Sequence, residues 1–175
     1  MTVFESPIGP MTIAVDDAGA VTEIRFGVVK GIGVAPAILP ATASGENRVE
    51  DAGRIAGATR EVIRQLEEYF RGARRDFELT LAPRGTEFQL ACWSELQRIA
   101  YGSTISYAEL ARRIGKPSAV RAVGAANGAN PIPIIIPCHR VIGANGTLVG
   151  YGGGLHIKRA LLAIEQPQRA LLETA

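Results

Sequence analysis

Cys138 and His139 are adjacent in this 175-residue chain, and Arg140 follows them. A thiolate, and not a thiol, is the nucleophile, and a neighbouring base or cation lowers the thiol pKa. The Cys-His-Arg triplet therefore has the residue types for nucleophilic chemistry, although adjacency along the chain does not establish contact. A lone cysteine otherwise behaves as a small buried hydrophobe. That reading fits the only other cysteine, Cys92, which lies in the apolar FQLACWSEL beside Trp93. It fits Cys138 poorly, because its neighbours are polar. His156 has no evident partner and is read as a surface residue. Two Cys and two His in all are too few for a structural zinc site, so no metal is expected. GYGGG at 150–154 lacks the Lys-Ser/Thr of a phosphate-binding loop, and no nucleotide cofactor is expected.

The elements that must position Cys138 lie in the second half. Cys138 ends NPIPIIIPC, where Pro131, Pro133 and Pro137 preclude a helix and stiffen the loop. Thr86 followed by Gln89 is a capping box for a helix to about residue 99. Ser106 followed by Glu109 is another, opening SYAELARRIG, which ends at Gly115. After Lys-Pro-Ser, AVRAVGAANG forms a second short helix. Helix, short turn with Gly, helix is helix-turn-helix spacing. The second helix is nearly bare: Ala119, Ala122, Gly124, Ala125, Ala126 and Gly128 leave Arg121 as its one long side chain. A major-groove recognition helix carries several polar readers. A bare one allows close backbone approach, or tight packing in a core. VIGANGTLVGY is expected to be a hairpin turning at Asn145-Gly146. A last helix runs from about Leu155 to Ile164, with Glu165 at its end.

The first half is expected to be β-rich. MTVFES, MTIAV and VTEIRF are separated by the turns PIGP and DDAG. Residues 28–57 are Gly/Pro/Ala-rich and expected to be a long loop. ATREVIRQLEEYFR puts Val62, Leu66, Tyr69 and Phe70 on one helical face. DFELTL alternates as a short strand, and APRGT marks a boundary. The fold class is α+β: a small N-terminal sheet-and-helix domain over 1–82, and a mostly helical domain over 86–165 with a winged helix-turn-helix-like motif. Residues 166–175 form a tail.

Composition excludes other classes. At 18.5 kDa, 47% hydrophobic and 21% charged, the chain is neither disordered nor fibrous. No run approaches the ~18 apolar residues of a membrane helix, and no signal peptide is evident. Two distant cysteines make a reducing cytoplasm the expected compartment. Net charge is only +2. The segment 98–159, however, holds Arg98, Arg112, Arg113, Lys116, Arg121, Arg140, Lys158 and Arg159 against Glu109 alone. Such an excess draws a polyanion.

SYAELARRIGKPSAVRAVGAANGANPIPII followed by IPCHRVIGANGTLVGYGGG resembles the O6-alkylguanine-DNA alkyltransferases (methylated-DNA–protein-cysteine methyltransferases). The resemblance is strong from about Phe88 to Glu165 and weaker at SPIGPMTIAV. It implies DNA repair by irreversible transfer of an alkyl group from guanine O6, with O4-alkylthymine as a further substrate, to the protein's own cysteine. Each molecule would act once, without cofactor, on double-stranded DNA. By the motif, Cys138 is the acceptor, and His139 the base, reaching the thiol through a water with Glu165 orienting the imidazole. Tyr107 would lie beside the phosphate backbone and donate a proton to the guanine, and Lys158 would stand near the reacting groups. Tyr151 and the backbone at Gly152 would contact the O6 side. Carbonyls of Cys138 and Val141 would accept from the exocyclic amine, and Asn130 would brace the helix-turn-helix against the active-site loop.

The resemblance also gives the bare helix a task. It would enter the minor groove, with Arg121 filling the space of the extruded nucleotide. Ser106, Tyr107, Lys116, Ser118, Ala119 and Gly124 would line the DNA. A monomer is expected, with cooperative binding on DNA left open. Ala100 departs from the family's usual proline, and the glycines after Tyr151 leave the alkyl-size preference open. Three alternatives compete. A winged-helix regulator would need polar readers on the second helix. An alkyl-lesion sensor without transfer would have Trp in place of Cys138. A thiol hydrolase would have no use for the bare basic helix.

Overall fold

The computed structural model describes residues 1–28 and 47–166. It divides into two compact units, Met1–Pro83 and Arg84–Ala175. In the first, β1 (Thr2–Ser6), β2 (Gly9–Val15) and β3 (Val21–Phe26) form an antiparallel meander in the order β1-β2-β3. The Ser6 hydroxyl closes the first turn on the Gly9 carbonyl at 2.5 Å. The Asp16 carboxylate closes the second on the N–H groups of Ala18 and Ala20. These are the side-chain-to-backbone bonds that favour Ser and Asp in turns. Met11, Ile13, Val21 and Ile24 are buried, as are Val62, Leu66 and Tyr69 of helix α1.

Helix α1 spans Asn47–Phe70 and is longer than the sequence pattern predicts. The expected loop over 28–57 gives way to helix from residue 47, and its residues 29–46 lie outside the described residues. Gly53 and Gly57 mask the helical period there, but alanines around them keep propensity high. The DFELTL strand also does not form. Only a bridge joins Leu81 to Val21. The Gln65 side chain takes the Glu78 N–H at 2.9 Å and gives to its carbonyl at 3.1 Å, occupying groups a ladder would need.

In the second unit, α2 (Glu87–Leu96) opens with the expected capping box, Thr86 and Gln89 bonded reciprocally. After it come β4 (Ile105–Ser106), α3 (Tyr107–Arg113) and α4 (Val120–Gly128). The Ser106 side chain caps α3 through the Glu109 N–H, but the box is half made. Glu109 does not reach back; its carboxylate holds Arg112 and Arg113 instead. Gly115, at φ 70°, supplies the left-handed residue that ends α3. The Trp93 indole donates to Ala126 O at 2.8 Å, tying α2 to α4.

The expected hairpin over 141–151 is not formed. Strand β5 (Val141–Ile142) pairs in parallel with β4. Beyond it the chain closes a loop through Gly143 N to Thr147 O and Gly146 N to Gly143 O. Asn145 Oδ1 accepts from both the Thr147 N–H and hydroxyl, so the side chain sets the turn without a ladder. Helix α5 (Leu155–Glu165) ends the described chain; the expected tail lies outside the described residues from 167 onward. No helix among the described residues is long and apolar enough to cross a membrane.

Candidate active site

The loop before Cys138 is held by one amide. Asn130 donates from Nδ2 to Ile136 O at 2.8 Å and accepts from Ile132 N–H at 3.0 Å. It lies just past the end of α4, so one residue joins that helix to the proline loop. Between its two contacts Ile134 sits at φ 75°, a left-handed conformation that a β-branched residue rarely adopts. Ile132, Ile134 and Ile136 are fully buried and fix the strained backbone. A single turn of 3-10 helix, Cys138–Arg140, follows, and all three side chains are buried.

Burial pushes the Cys138 thiol up. The Asn130 side chain, the charge of Lys158 and the Tyr151 hydroxyl all pull it down, without reversing the shift. The resting form is the thiol, surrounded by groups that favour the thiolate. The buried Cys92 thiol is also raised by burial, with no such groups around it, as expected of a packing residue.

His139 lies against Glu165, with Nε2 to Oε1 at 2.7 Å and both side chains at 0% exposure. Burial lowers the imidazole pKa more than Glu165 raises it, so the ring is neutral at pH 7. Burial alone would raise Glu165, but the hydrogen bonds from His139 and Arg140 outweigh it and bring the carboxyl down to about 2. An ionised carboxylate only accepts. Nε2 therefore carries the imidazole proton, and Nδ1 is the free lone pair. Nδ1 is buried, with no hydrogen-bond partner among the described residues. It is a base aimed away from its own orienting acid, the arrangement of a nucleophile–His–acid relay.

Two groups in the same unit share one carbonyl, Val149 O. Lys158, fully buried on α5, donates to Val141 O at 2.6 Å and Val149 O at 2.9 Å. Burial lowers its pKa. Tyr107, the first residue of α3, also donates to Val149 O, at 3.2 Å, and Lys158 Nζ lies 5.9 Å from its ring centroid. Burial and the neighbouring Cys138 raise the phenol. Tyr151 is half-buried, and Gly152 is exposed beside it. The Cys138 carbonyl accepts from the Val141 N–H and from Asn127 Nδ2 at 3.3 Å.

Arg121, Ala122, Ala125, Gly128 and Ala129 face solvent on α4, while Val123, Ala126 and Asn127 face inward. The bare side of the helix is thus an exposed surface and not core. Gly124 is half-buried, and a Cβ there would lie 3.9 Å from the Tyr107 ring. Lys116 and Ser118 are exposed in the turn before α4, and Ala119 is its N-cap. The basic excess is smaller than the sequence count. Arg140 and Lys158 are buried. Arg98 pairs with Glu95, Arg112 with Glu109, and Arg113 with both acids. Lys116, Arg121 and Arg159 remain exposed with no ion pair among the described residues.

Two contributors to this site have partners that the sequence did not indicate. Arg140 was marked as the cation beside the thiol, yet it grips Glu165 through Nε at 2.9 Å and Nη2 at 3.0 Å. Asn127 lay inside the bare helix, with nothing to set it apart. No cluster of three metal-binding side chains occurs among the described residues.

The perturbed pair gives a pH prediction. Folded His139 and Glu165 both hold protons less tightly than in the unfolded chain, so unfolding takes up protons and stability rises with pH. His139's share is lost as pH falls below the ordinary histidine value of 6.5. Glu165's share is lost between 4.5 and about 2. Urea unfolding should show stability falling steadily from about pH 7 to about pH 3. A flat profile across that range would contradict the assignment.

The geometry defines a class first: a buried cysteine followed directly by a buried His–carboxylate pair, next to a helix-turn-helix whose second helix is bare and exposed. The comparisons with known proteins narrow it. Residues 87–167 match the model of the 6-O-methylguanine DNA methyltransferase, DNA binding domain. Residues 1–83 match that of the 6-O-methylguanine DNA methyltransferase, ribonuclease-like domain. The methylated-DNA–protein-cysteine methyltransferase of Methanosarcina acetivorans is 47% identical over 163 residues, 93% of this chain and 96% of that protein. The one from Mycobacterium tuberculosis is 46% identical over 162 residues, 93% and 89% of the two chains. The crystal structure of Mycobacterium tuberculosis OGT in complex with DNA matches with TM-score 0.77 and 42% identity, covering 95% of this chain and 92% of that one. The chain belongs to the 6-O-methylguanine DNA methyltransferase family.

Proposed function

We propose that this protein repairs DNA by transferring an alkyl group from guanine O6 to Cys138, once per molecule, as a cytoplasmic monomer. The carrying observation is the buried relay, in which Glu165 is held ionised and leaves Nδ1 of neutral His139 as a base. In the step, Cys138 Sγ bonds the alkyl carbon as the carbon–O6 bond breaks. The thiol proton passes to His139, and the electron pair of the broken bond stays with guanine. Guanine is then protonated by the Tyr107 phenol, which regains a proton from solvent while His139 gives the thiol proton back to solvent, so the final balance is thioether plus guanine. The thioether has no leaving group for water to displace, so the reaction stops there. The reading extends to O4-alkylthymine as a second substrate.

Tyr107 donates to Val149 O in the resting structure, so it exchanges that acceptor for the base. Lys158 still holds the Val149 carbonyl when it does. Val141 O has one protein donor and keeps a lone pair for the exocyclic amine of guanine. The Cys138 carbonyl has two donors already, so Val141 is the better reader of the pair. Tyr151 and the Gly152 backbone border the O6 side.

The bare face of α4 fits the minor groove, and Arg121 occupies the place of the flipped nucleotide. Lys116, Ser106, Ser118, Ala119 and Gly124 lie along the same helix pair and contact DNA without reading sequence. Arg121→Ala should weaken binding to a lesion duplex about tenfold, and spare slow reaction with free O6-methylguanine base. Equal loss of both would remove Arg121 from the flipping role. The function itself is tested with a duplex whose O6-methyl group carries tritium. Label should move to protein, stop at one per molecule and leave unmodified guanine behind; label that stays on the DNA would refute transfer.

A further inference from the structure

Arg140 is charged, 6% exposed and has no part in the transfer step above. Resting on that reading of the site, we propose that Arg140 and the Gly102 N–H together act as a positioning device, filling the acceptor sites of Glu165 so that His139 keeps its proton on Nε2 and presents Nδ1 to the thiol.

Four donors converge on the two oxygens of Glu165. Oε1 takes His139 Nε2 at 2.7 Å and Arg140 Nη2 at 3.0 Å. Oε2 takes Arg140 Nε at 2.9 Å and Gly102 N–H at 3.1 Å. Two carboxylate oxygens offer about four lone-pair sites. A carboxylate so occupied has no room for a proton, and the relay ends at His139.

Arg140 is itself fixed from a second side. Its Nη1 donates to Ile99 O at 2.6 Å, and its guanidinium carbon lies 5.7 Å from the Tyr101 ring centroid. The Tyr101 hydroxyl reaches Ile164 O at 3.1 Å, at the end of the helix that carries Glu165. Gly102 is at φ 74°, and a Cβ there would meet Glu165 O at 3.1 Å. The turn over 99–102 therefore holds both the arginine and the helix end. At this φ and this close approach any other residue would be strained. A planar five-donor fork suits this place, and a lysine ammonium does not reproduce it.

A consequence for acidity separates this role from simple stabilisation. The charged groups facing His139 are Glu165 and Lys158 from α5 and Arg140 from its own turn. Burial opposes protonation of the imidazole most strongly, Glu165 favours it, and the two cations oppose it. Removing the Arg140 charge should make His139 a stronger base in equilibrium and leave it protonated, and so unable to take the thiol proton, at higher pH. Lost stability alone would lower the rate without moving the His139 midpoint in the folded protein.

The test uses nitrogen-15 NMR of the imidazoles in the full chain, with exposed His156 as internal control. In the native protein His139 should show a protonated Nε2 and a bare Nδ1; a proton on Nδ1 overturns the proposal without any variant. In Arg140→Gln the His139 midpoint should rise by about one unit, while His156 stays put. Transfer from an O6-methylguanine duplex should then fall about tenfold more on the acid limb than on the plateau. Arg140→Lys, which keeps the charge, should return the midpoint close to the native one. An unmoved midpoint in Arg140→Gln, or an equal rate loss at all pH, overturns the proposal. Native protein with the expected tautomer but no transfer would refute the repair reading and leave the Arg140 placement standing.

Discussion

Replacing Cys138 with serine should abolish alkyl transfer, by more than about 10,000-fold, while duplex binding stays within about threefold of native. The two effects separate because the thiol and the DNA-facing surface are different parts of the unit. The serine hydroxyl is close in size to the thiol and sits near the Asn130 and Tyr151 side chains, polar groups that favour the thiolate. Its pKa lies far above that of a thiol, and His139, whose basicity burial lowers, cannot ionise it. The hydroxyl has polar groups within its surroundings, so unfolding should move by about 1 kcal/mol. The check is label transfer from a lesion duplex alongside fluorescence anisotropy of the same duplex. Loss of both properties would mean that Cys138 is a structural residue; retention of transfer would mean that another group is the acceptor.

Glu165→Gln should be the most damaging substitution that leaves the nucleophile in place. The amide keeps one acceptor oxygen and turns the other position into a donor, which faces the Arg140 fork. Arg140 then holds a buried positive charge without its partner, a change that costs about 3–5 kcal/mol. His139 loses the carboxylate that fixes its proton on Nε2. Transfer should fall between about 100-fold and about 10,000-fold. Glu165→Asp keeps the charge on a shorter arm and should recover part of the stability but little of the rate. Single-turnover kinetics and urea unfolding on the same preparations decide it. A Glu165→Gln protein within about threefold of native in rate would show that the carboxylate does not orient the base.

How much of this was legible beforehand depends on how local each signal is. Cys138 stood out because a polar triplet closes a proline loop, and prolines constrain the backbone whatever surrounds them. The Thr86 capping box and the stop at Gly115 are also local, and both formed. The bare second helix could have been core or surface. Solvent exposure of Arg121, Ala122 and Ala125 shows it to be surface, a fact of packing that spacing along one helix does not carry.

The misread elements were those whose backbone partners lay far off in sequence. VIGANGTLVGY has hairpin residues, but β5 is claimed by β4, and Asn145 sets the turn alone. DFELTL alternates like a strand, but the amide of Gln65 occupies its backbone. The basic excess over 98–159 was counted without Glu95, which lies outside that window and pairs with Arg98 three residues on and with Arg113 across helices. Arg140 shows the same limit. Beside His139 in sequence it was one more cation, and only the return of α5 gives it a carboxylate to hold. The family resemblance named Cys138, His139 and Glu165, and the structure adds the groups that keep those three in register.

The central claim is that Cys138 itself becomes the alkyl carrier. The direct measurement is intact mass followed by peptide mapping, after the native protein meets a short duplex bearing one O6-methylguanine. The account predicts one added methyl group per protein molecule, located on Cys138, with none on Cys92 and no turnover in excess lesion. Unchanged mass with the duplex still bound, or a methyl group on any other residue, would contradict it.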